Sequence, residues 1–223
     1  ESPADLIDQA PSVTPAIDDP EPVAAATPVP APVSFAGVEA QAVGHVIYAV
    51  DISGAMTTSL PYVKDELIQS ISRLSPGQKF QILTFHQPPG DSAPVVEAMD
   101  SSEAFIAASD SNKMRAARWI AALEPSGSSQ PLAALRVALA SKPDLLFLMT
   151  RSIKRSGGTS IWGKGSRETL SELDALNPKS FQGQRTTAIK ALQFIDPDPT
   201  GMLQAIGNAH GDGPASYRVI TPR

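Results

Sequence analysis

Short apolar runs alternate with amphipathic segments along most of this chain. The apolar runs lie at residues 45–51, 79–86, 145–150, 188–195 and 217–220, and runs of about four to eight residues are typical of buried strands in parallel sheets. Between them apolar residues recur at helical spacing, which predicts helices at 60–74, 102–123, 132–139, 167–176 and 200–209. Two shorter strands are predicted at 34–41 and 93–98. The pattern predicts an α/β fold with a doubly wound, mainly parallel central sheet and helices on both faces.

The first 34 residues have a different composition. They contain eight prolines and six acidic residues but no lysine or arginine, and segments of this kind favour extended chain over a packed core. We therefore predict a disordered, acidic, Pro-rich linker at 1–34, either a spacer or a terminal tail, and one folded domain at 35–223. The net charge of the whole chain is −5, and residues 1–34 contribute −6 because they have six acidic residues and no basic one. The domain at 35–223 is therefore nearly neutral.

Several classes of protein are excluded by what the sequence lacks. It has no cysteine, hence no disulfide framework, no thiolate metal site and no cysteine nucleophile. It has no membrane-spanning apolar run and no signal-peptide pattern, and we expect any anchor to lie upstream of Glu1. The three histidines have no zinc-binding spacing, and only His86, at the end of a predicted strand, is placed to line a site. We expect a protein that is not an enzyme.

The strand predicted at 45–51 brings two polar side chains to its carboxyl end. Asp51 and Ser53 are two residues apart, and ligands of open α/β sheets bind at the carboxyl ends of the strands. A carboxylate and a hydroxyl directed to one point are ligands that hard divalent cations prefer. The next oxygen of such a loop is expected at position 55, where this chain has Ala55. The loop has the pattern of a metal site with one ligand missing.

Two further loops complete a set that resembles a known family. Residues 51–56, 127–131 and 150–152 together resemble the loops of the von Willebrand factor A-like (vWA) domain, and the segments at 35–38, 143–144 and 194–203 are similar to it as well. The resemblance covers about 35–220, and it is to the bacterial type in which a membrane anchor and a Pro-rich linker precede the domain. It implies a Rossmann-like, three-layer vWA fold, a protein partner, and a soluble domain held at a membrane or in the cell envelope.

The resemblance also implies a degenerate metal-ion-dependent adhesion site. That site uses Asp-x-Ser-x-Ser, a threonine from the second loop and an aspartate from the third. Carried over residue by residue, Asp51 and Ser53 match, Ser129 stands in place of the threonine, Ala55 replaces a serine, and Arg151 replaces the aspartate. A guanidinium cannot ligate a cation and repels one at close range. We therefore expect no cofactor, with Mg²⁺ or Ca²⁺ as the weaker alternative.

Arg151 has two interpretations at this stage. In the first, its guanidinium occupies the vacant metal position and pairs with Asp51, so that an internal cation replaces the bound one. In the second, the side chain points into solvent with its loop, as most arginines do. The first interpretation places an ion pair at the centre of the site, and the second leaves Asp51 alone there.

A basic, glycine-rich loop follows Arg151. We predict a partner-binding rim formed by Arg151, Lys154, Arg155, Trp162 and Lys164, beside Ser53, Ala55 and Ser129. Trp162 is either an exposed anchor for the partner or a residue folded back onto the core. The loop at 158–166, which starts with Gly158, also fits the first part of a phosphate-binding P-loop, but Gly165 stands where that motif needs a hydroxyl.

These features predict a non-catalytic protein-binding or scaffolding domain that is displayed on a flexible spacer and acts without metal. One alternative is residual Mg²⁺- or Ca²⁺-dependent adhesion through Asp51, Ser53 and Ser129. A second is phosphate or nucleotide binding at the loop from Gly158 to Ser166. We expect no nucleic-acid partner, because basic and aromatic residues are not interleaved in this sequence.

Overall fold

The computed structural model describes residues 30–90, 93–151, 162 and 165–222. Within these ranges the chain forms strands and helices in close alternation. In chain order they are β1 (Pro32–Phe35), β2 (Val38–Ala42), β3 (His45–Asp51), α1 (Leu60–Ser72), β4 (Lys79–His86), β5 (Val95–Ala98), β6 (Ile106–Ala107), α2 (Asp110–Ala121), α3 (Pro131–Ala140), β7 (Leu145–Thr150), α4 (Ser166–Leu176), β8 (Ala188–Phe194), α5 (Met202–His210) and β9 (Tyr217–Ile220).

The central sheet has the strand order β5-β4-β3-β7-β8-β9, and β6 pairs with the start of β4. The five strands from β4 to β9 in this order run parallel to their neighbours, whereas β5 and β6 are antiparallel to β4. Parallel neighbours need crossover connections, and the helices supply them. The predicted doubly wound, mainly parallel α/β fold is confirmed.

The strand β3 separates two hydrophobic layers. Its side chains alternate between the faces of the sheet. Val46, Tyr48 and Val50 pack with apolar residues of α1 and α2, while Ile47 and Ala49 pack with those of α3, α4 and α5. Because helices cover both faces, the whole strand is apolar, which is why its sequence reads as an uninterrupted apolar run.

The amino-terminal strands form a separate hairpin that packs on the domain. β1 and β2 pair with each other only, in an antiparallel two-stranded sheet. Val33 and Phe35 are at most 1% exposed and belong to the same core as α1. The turn between the strands holds Ala36 and Gly37 at φ of 48° and 71°, as tight hairpin turns require. The single strand predicted at 34–41 is therefore two strands.

This hairpin changes the predicted start of the folded domain. β1 begins at Pro32, three residues before the predicted boundary at 35. Proline is tolerated at the first position of a strand, so Pro32 does not prevent this earlier start. Residues 1–29 lie outside the described residues, so the linker remains a prediction.

The second helix is shorter than predicted. α2 begins at Asp110, and the Ser109 hydroxyl accepts a hydrogen bond of 3.3 Å from the backbone N–H of Asn112, which caps the helix. Residues 102–109, predicted as helix, instead contain β6, in which Ile106 pairs with Phe80 of β4. Pairing at the sheet edge overrides the helical preference of this stretch. No helix in the described ranges is long and apolar enough to cross a bilayer.

Candidate functional site

Two strand ends meet at the carboxyl edge of the sheet. β3 and β7 are parallel neighbours, with Val50 opposite Met149, so the residues that end them lie side by side. Asp51 ends β3 and Thr150 ends β7. Both side chains are completely buried. This edge is where the sheet topology predicts a ligand site.

A third segment is tied over the end of β3 by backbone hydrogen bonds. The N–H of Ser126 donates to the carbonyl of Ile52 over 2.7 Å, and the N–H of Gly54 donates to the carbonyl of Gly127 over 3.0 Å. These bonds fix the loop that carries Ser129, whose exposure is only 4%. The first and second predicted loops are thus brought together.

Gly127 is required by the close approach of this loop to the end of β4. Its φ is +66°, and a Cβ there would lie 2.0 Å from the carbonyl oxygen of Gln87. Without a side chain at 127, Gln87 and Ser128 exchange two backbone hydrogen bonds of 2.6 and 2.8 Å. Any other residue would push the loop, and Ser129 with it, away from the sheet.

The carboxylate of Asp51 has hydrogen-bond donors on both oxygens. Oδ1 accepts from the backbone N–H of Ser53 over 2.8 Å, and Oδ2 accepts from the hydroxyl of Thr150 over 2.5 Å. The hydroxyl oxygen of Ser129 is 3.3 Å from that of Thr150, and Ser129 is also a hydrogen-bond donor to the carboxylate of Asp51. Neutral donors therefore surround one buried acid.

Burial dominates the protonation of Asp51. Loss of solvent raises the pKa of this carboxyl, and the hydrogen bonds from Thr150, Ser129 and both the backbone and the hydroxyl of Ser53 offset part of that rise. All of these donors are uncharged. Asp51 is therefore a desolvated acid without a cationic side chain beside it among the described residues.

The hypothesis that Arg151 pairs with Asp51 is wrong in this structure. Arg151 Nη2 lies 3.2 Å from Oδ2 of Asp196, and Nη1 donates to the carbonyl of Ala55 over 3.2 Å. The alternative, a solvent-directed side chain, is also incorrect, because the Arg151 side chain is only 23% exposed. Oδ2 of the buried Asp51 already accepts a hydrogen bond from Thr150. The guanidinium of Arg151 instead contacts the first loop at Ala55 and pairs with Asp196, which lies just after the end of β8.

Nε of Arg151 is buried without a hydrogen-bond partner within the described part of the chain. Buried polar atoms of this kind are uncommon and indicate an unfilled interaction. The nearby hydroxyl of Ser53 is also buried, and it lies close enough to the carboxylate of Asp51 to lower the pKa of that acid.

The donor set does not fit a divalent cation well. Such ions take six or more oxygen ligands, commonly with several carboxylates. Here Asp51 supplies the only carboxylate beside the hydroxyls, position 55 offers a backbone carbonyl that already accepts from Arg151, and position 151 is cationic. Within the described ranges, no group of three or more His, Cys, Asp or Glu side chains could hold a metal ion.

The predicted rim is only partly described. Trp162 is 1% exposed and belongs to the core cluster that includes Leu139 and Leu173, so it does not form part of the rim and has the core position that was the alternative. The large apolar ring is favoured there because burial removes it from water. Lys154, Arg155 and Lys164, with most of the loop at 158–166, lie outside the described residues, and their roles remain predictions.

Two residues of the site were missed at the sequence level. Thr150 supplies the hydroxyl on Asp51, and Asp196 supplies the carboxylate for Arg151. Both follow from one signal, a polar residue at or just after the end of a parallel strand. The same signal predicts Asp51 at the end of β3, and it is equally present at Thr150 and after the end of β8.

Comparison with known proteins agrees with this architecture. The family model for the von Willebrand factor type A domain matches residues 44–174, more than half of the chain. A structure of a von Willebrand factor type A protein from Catenulispora acidiphila has a TM-score of 0.57 at 13% identity, covering 83% of this chain and 40% of that one. The pilus adhesin SpaC from Lactobacillus rhamnosus GG has a TM-score of 0.52 at 13% identity, covering 80% of this chain and 28% of SpaC.

This chain spans less than half the length of either of those proteins. No curated protein sequence matches it significantly. At such low identity the structural likeness establishes the fold alone. With the family match, the sheet order and the three loops in place, the chain belongs to the von Willebrand factor type A domain family.

Proposed function

We propose that this protein is a non-catalytic protein-binding or scaffolding domain whose loop edge acts without a divalent metal. The observation that carries the proposal is the position of Arg151, which lies across the first loop and contacts the Ala55 carbonyl and Asp196. A fixed positive charge therefore lies against the loop that carries Asp51 and Ser53.

The internal bonding of Asp51 supports metal independence. Both carboxylate oxygens already accept hydrogen bonds from Ser53 and Thr150. A cation would have to displace or share these donors while facing the fixed positive charge of Arg151. Two unit charges about 4 Å apart interact by about 4 kcal/mol at an effective dielectric constant of about 20, which is comparable to the binding free energy of a millimolar site.

The same arrangement supports a non-catalytic role. Nucleophilic and acid–base catalysis need a base within hydrogen-bond reach of a hydroxyl. In the described part of the chain, the hydroxyls of Ser53, Ser129 and Thr150 have no hydrogen bond to a histidine. The carboxylate of Asp51 accepts from Thr150, but both side chains are completely buried and out of reach of a substrate. We infer that these groups build the loop edge and do not perform chemistry.

The partner surface is the outer part of this edge. Arg151 is partly exposed, and its partner Asp196 is 66% exposed. Such an ion pair contributes little to stability, so an acidic group of a partner protein competes readily with Asp196 for the guanidinium. The predicted basic residues Lys154, Arg155 and Lys164 would extend this surface, and Ser53 and Ser129, which are buried, lie beneath it.

We further propose that the acidic, Pro-rich segment at 1–34 displays the domain at a distance from a membrane or envelope anchor upstream of this chain. Its composition favours an extended spacer, and the hairpin that follows it is firmly packed on the domain. A protein with the same fold, SpaC, is a pilus adhesin, which supports display at the cell surface.

The test is a set of thermal melts of the full chain in EDTA and in about 10 mM Mg²⁺ or Ca²⁺. We expect the same Tm in all three conditions. A site with a Kd of about 0.1 mM would add about 2.7 kcal/mol at this concentration, which raises the Tm of a domain of this size by about 5 to 10 °C. A rise of that size in the wild-type protein would refute metal independence.

A matched variant gives the experiment a positive control. The double substitution Ala55→Ser and Arg151→Asp supplies the two oxygen ligands that this chain lacks and removes the guanidinium. We expect this variant to gain a cation-dependent rise in Tm that the wild type does not show.

The second candidate is residual cation-dependent adhesion through Asp51, Ser53 and Ser129. One observation favours it: the hydroxyls of Ser53 and Ser129 both lie against the carboxylate of Asp51, so three oxygens are close to one point. In that case the wild-type Tm rises with the cation, and Ser53→Ala abolishes the rise.

A further inference from the structure

A cleft of about 580 Å³ lies at the opposite edge of the sheet from Asp51. It is lined by the first residues of β7 and β8, by the connection from α4 to β8, by the end of α5 and by β2. Its volume is in the range of small-molecule sites. Nothing in the proposed loop-edge function uses this cleft.

The ionisable lining of the cleft has an excess of positive charge. Lys179, Arg185, His210 and Asp212 line it. The carboxylate of Asp212 already accepts hydrogen bonds from the buried amine of Lys190 and from a serine hydroxyl, so its charge is compensated. Lys179 is exposed and forms no ion pair with any described residue. The free charge in the cleft is therefore cationic.

Arg185 fixes the shape of the cleft. Its Nε donates to the carbonyl of Ala209 over 2.7 Å, Nη1 donates to the carbonyl of Asn177, and Nη2 donates to Asp174 over 2.6 Å. These bonds join the ends of α4 and α5, where carbonyls lack helical partners. Three of its five N–H groups are used in this way, and the guanidinium is rigidly placed in the cleft wall.

The innermost lining residue, His210, presents a buried N–H. Asn177 is oriented by Thr187, whose N–H donates to Asn177 Oδ1 and whose carbonyl accepts from Nδ2. The amide nitrogen of Asn177 is also 3.4 Å from Nδ1 of His210, so Nδ1 is the acceptor and the ring hydrogen of the neutral form is on Nε2. That nitrogen is buried with no hydrogen-bond partner among the described residues, and Asp174 is 3.6 Å away.

We propose that this cleft binds a small oxyanion, a molecule with carboxylate or phosphate groups. Lys179 supplies an unpaired charge at the mouth, Arg185 supplies a preorganised one in the wall, and His210 supplies a neutral donor at the inner end. Lys179 has no ion-pair partner among the described residues, and two N–H groups of Arg185 are left after its bonds to Ala209, Asn177 and Asp174. Cationic N–H donors of this kind bind such anions strongly. The proposal is independent of the function assigned to the loop edge.

The electrostatics of His210 provide a separate readout of occupancy. Burial, together with the charges of Arg185 and Lys179, lowers the pKa of His210 to about 4, while Asp174 acts in the opposite direction. An anion held between those two cations and the ring would reverse part of this effect. We expect the pKa of His210, followed by NMR of the imidazole carbons, to rise when the anion is bound.

The direct test is a titration of the full chain at constant ionic strength with sodium phosphate and, separately, with succinate. Backbone NMR signals of residues 179–187 and 208–212 should shift and saturate. Lys179→Ala should weaken binding about tenfold, since hydrogen bonds to charged groups are strong. Lys79→Ala, an exposed lysine at the start of β4, should bind like the wild type.

The outcomes separate cleanly. Saturation with phosphate alone, or with succinate alone, identifies the headgroup and supports the site. Shifts that stay linear up to about 10 mM, where a millimolar site would be filled, overturn it. Equal affinity of the Lys179→Ala variant and the wild type, together with an unchanged pKa of His210, overturns it as well.

Discussion

At the carboxyl edge of the sheet a buried acid, Asp51, faces neutral donors, whereas at the amino edge a buried base, His210, faces the cation Arg185. The two arginines differ in the same way. Arg151 at the first edge is held by one carbonyl and an exposed aspartate, while Arg185 at the second is 10% exposed and joins two helix ends. At the carboxyl edge Arg151 is weakly held and partly exposed. At the amino edge Arg185 is a structural clamp, because its hydrogen bonds join the ends of α4 and α5.

The comparison shows that the two edges depend on pH in opposite directions. The pKa of Asp51 is raised by burial, so the folded state binds the proton more tightly and stability falls as the pH rises from 3.8 through the raised pKa. The pKa of His210 is lowered to about 4 from 6.5, so the unfolded state binds the proton more tightly and stability falls as the pH drops from 6.5 to about 4. At each edge the folded state favours the neutral form of the buried ionisable group, because burial disfavours its charged form.

The largest effect is expected for Arg185→Ala. The substitution leaves the carbonyls of Asn177 and Ala209 without their donor, and each acceptor left unsatisfied costs about 1 to 3 kcal/mol, so the loss should reach about 3 kcal/mol. Asp174 is 58% exposed, so the loss of its ion pair adds little. Urea denaturation at pH 7 measures this loss. Arg218→Ala is the control, because Arg218 donates one exposed hydrogen bond to Gly37, and it should lose less than about 1 kcal/mol. Equal losses in the two variants would contradict the clamp.

The next effect is the acid sensitivity of His210. Between pH 6.5 and 4 the wild type should lose about 2 kcal/mol more stability than His210→Gln, which has no titrating ring. Arg185 and Lys179 oppose protonation, and Asp174 favours it. Denaturation midpoints across this range give the difference in slope. Parallel slopes for the two proteins would show that His210 is not buried as a neutral base.

A smaller effect of opposite sign is expected at Asp51. Asp51→Asn keeps the shape of the side chain and removes the desolvated charge, so the free energy of unfolding at pH 7 should rise, by less than the loss expected at Arg185. Asp196→Asn, at an exposed position of the same edge, is the control and should change stability little. A clear loss of stability for Asp51→Asn would indicate that a cation balances the carboxylate.

The smallest effect is expected for Arg151→Ala. Its ion pair with the exposed Asp196 and its contact with Ala55 should contribute less than about 1 kcal/mol. A double-mutant cycle with Asp196→Asn isolates the pair itself, measured by urea denaturation at low and high salt. A loss as large as that of Arg185→Ala would remove the distinction between the two edges.

The sequence by itself determined the scaffold. The predicted bounds of β3, β4, β7 and β9 agree with the structure, because apolar runs and their periodicity are local properties of the chain. Placing Asp51 at the carboxyl edge followed from the strand bounds and the parallel order. The miss at residues 102–109 has a different origin, since a strand pairing with Phe80 decided that segment.

Only the tertiary structure decided what the polar side chains contact. Asp51 is bonded to Thr150, which is 99 positions away, and Arg151 to Asp196, 45 positions away. Trp162 turned inward, although its sequence context is a basic, glycine-rich loop. Long side chains have many rotamers of similar energy, so packing and the partners already engaged select among them. The sequence specifies the strand, helix or loop that carries each of these residues. The contacts available in the assembled structure decide where its side chain lies.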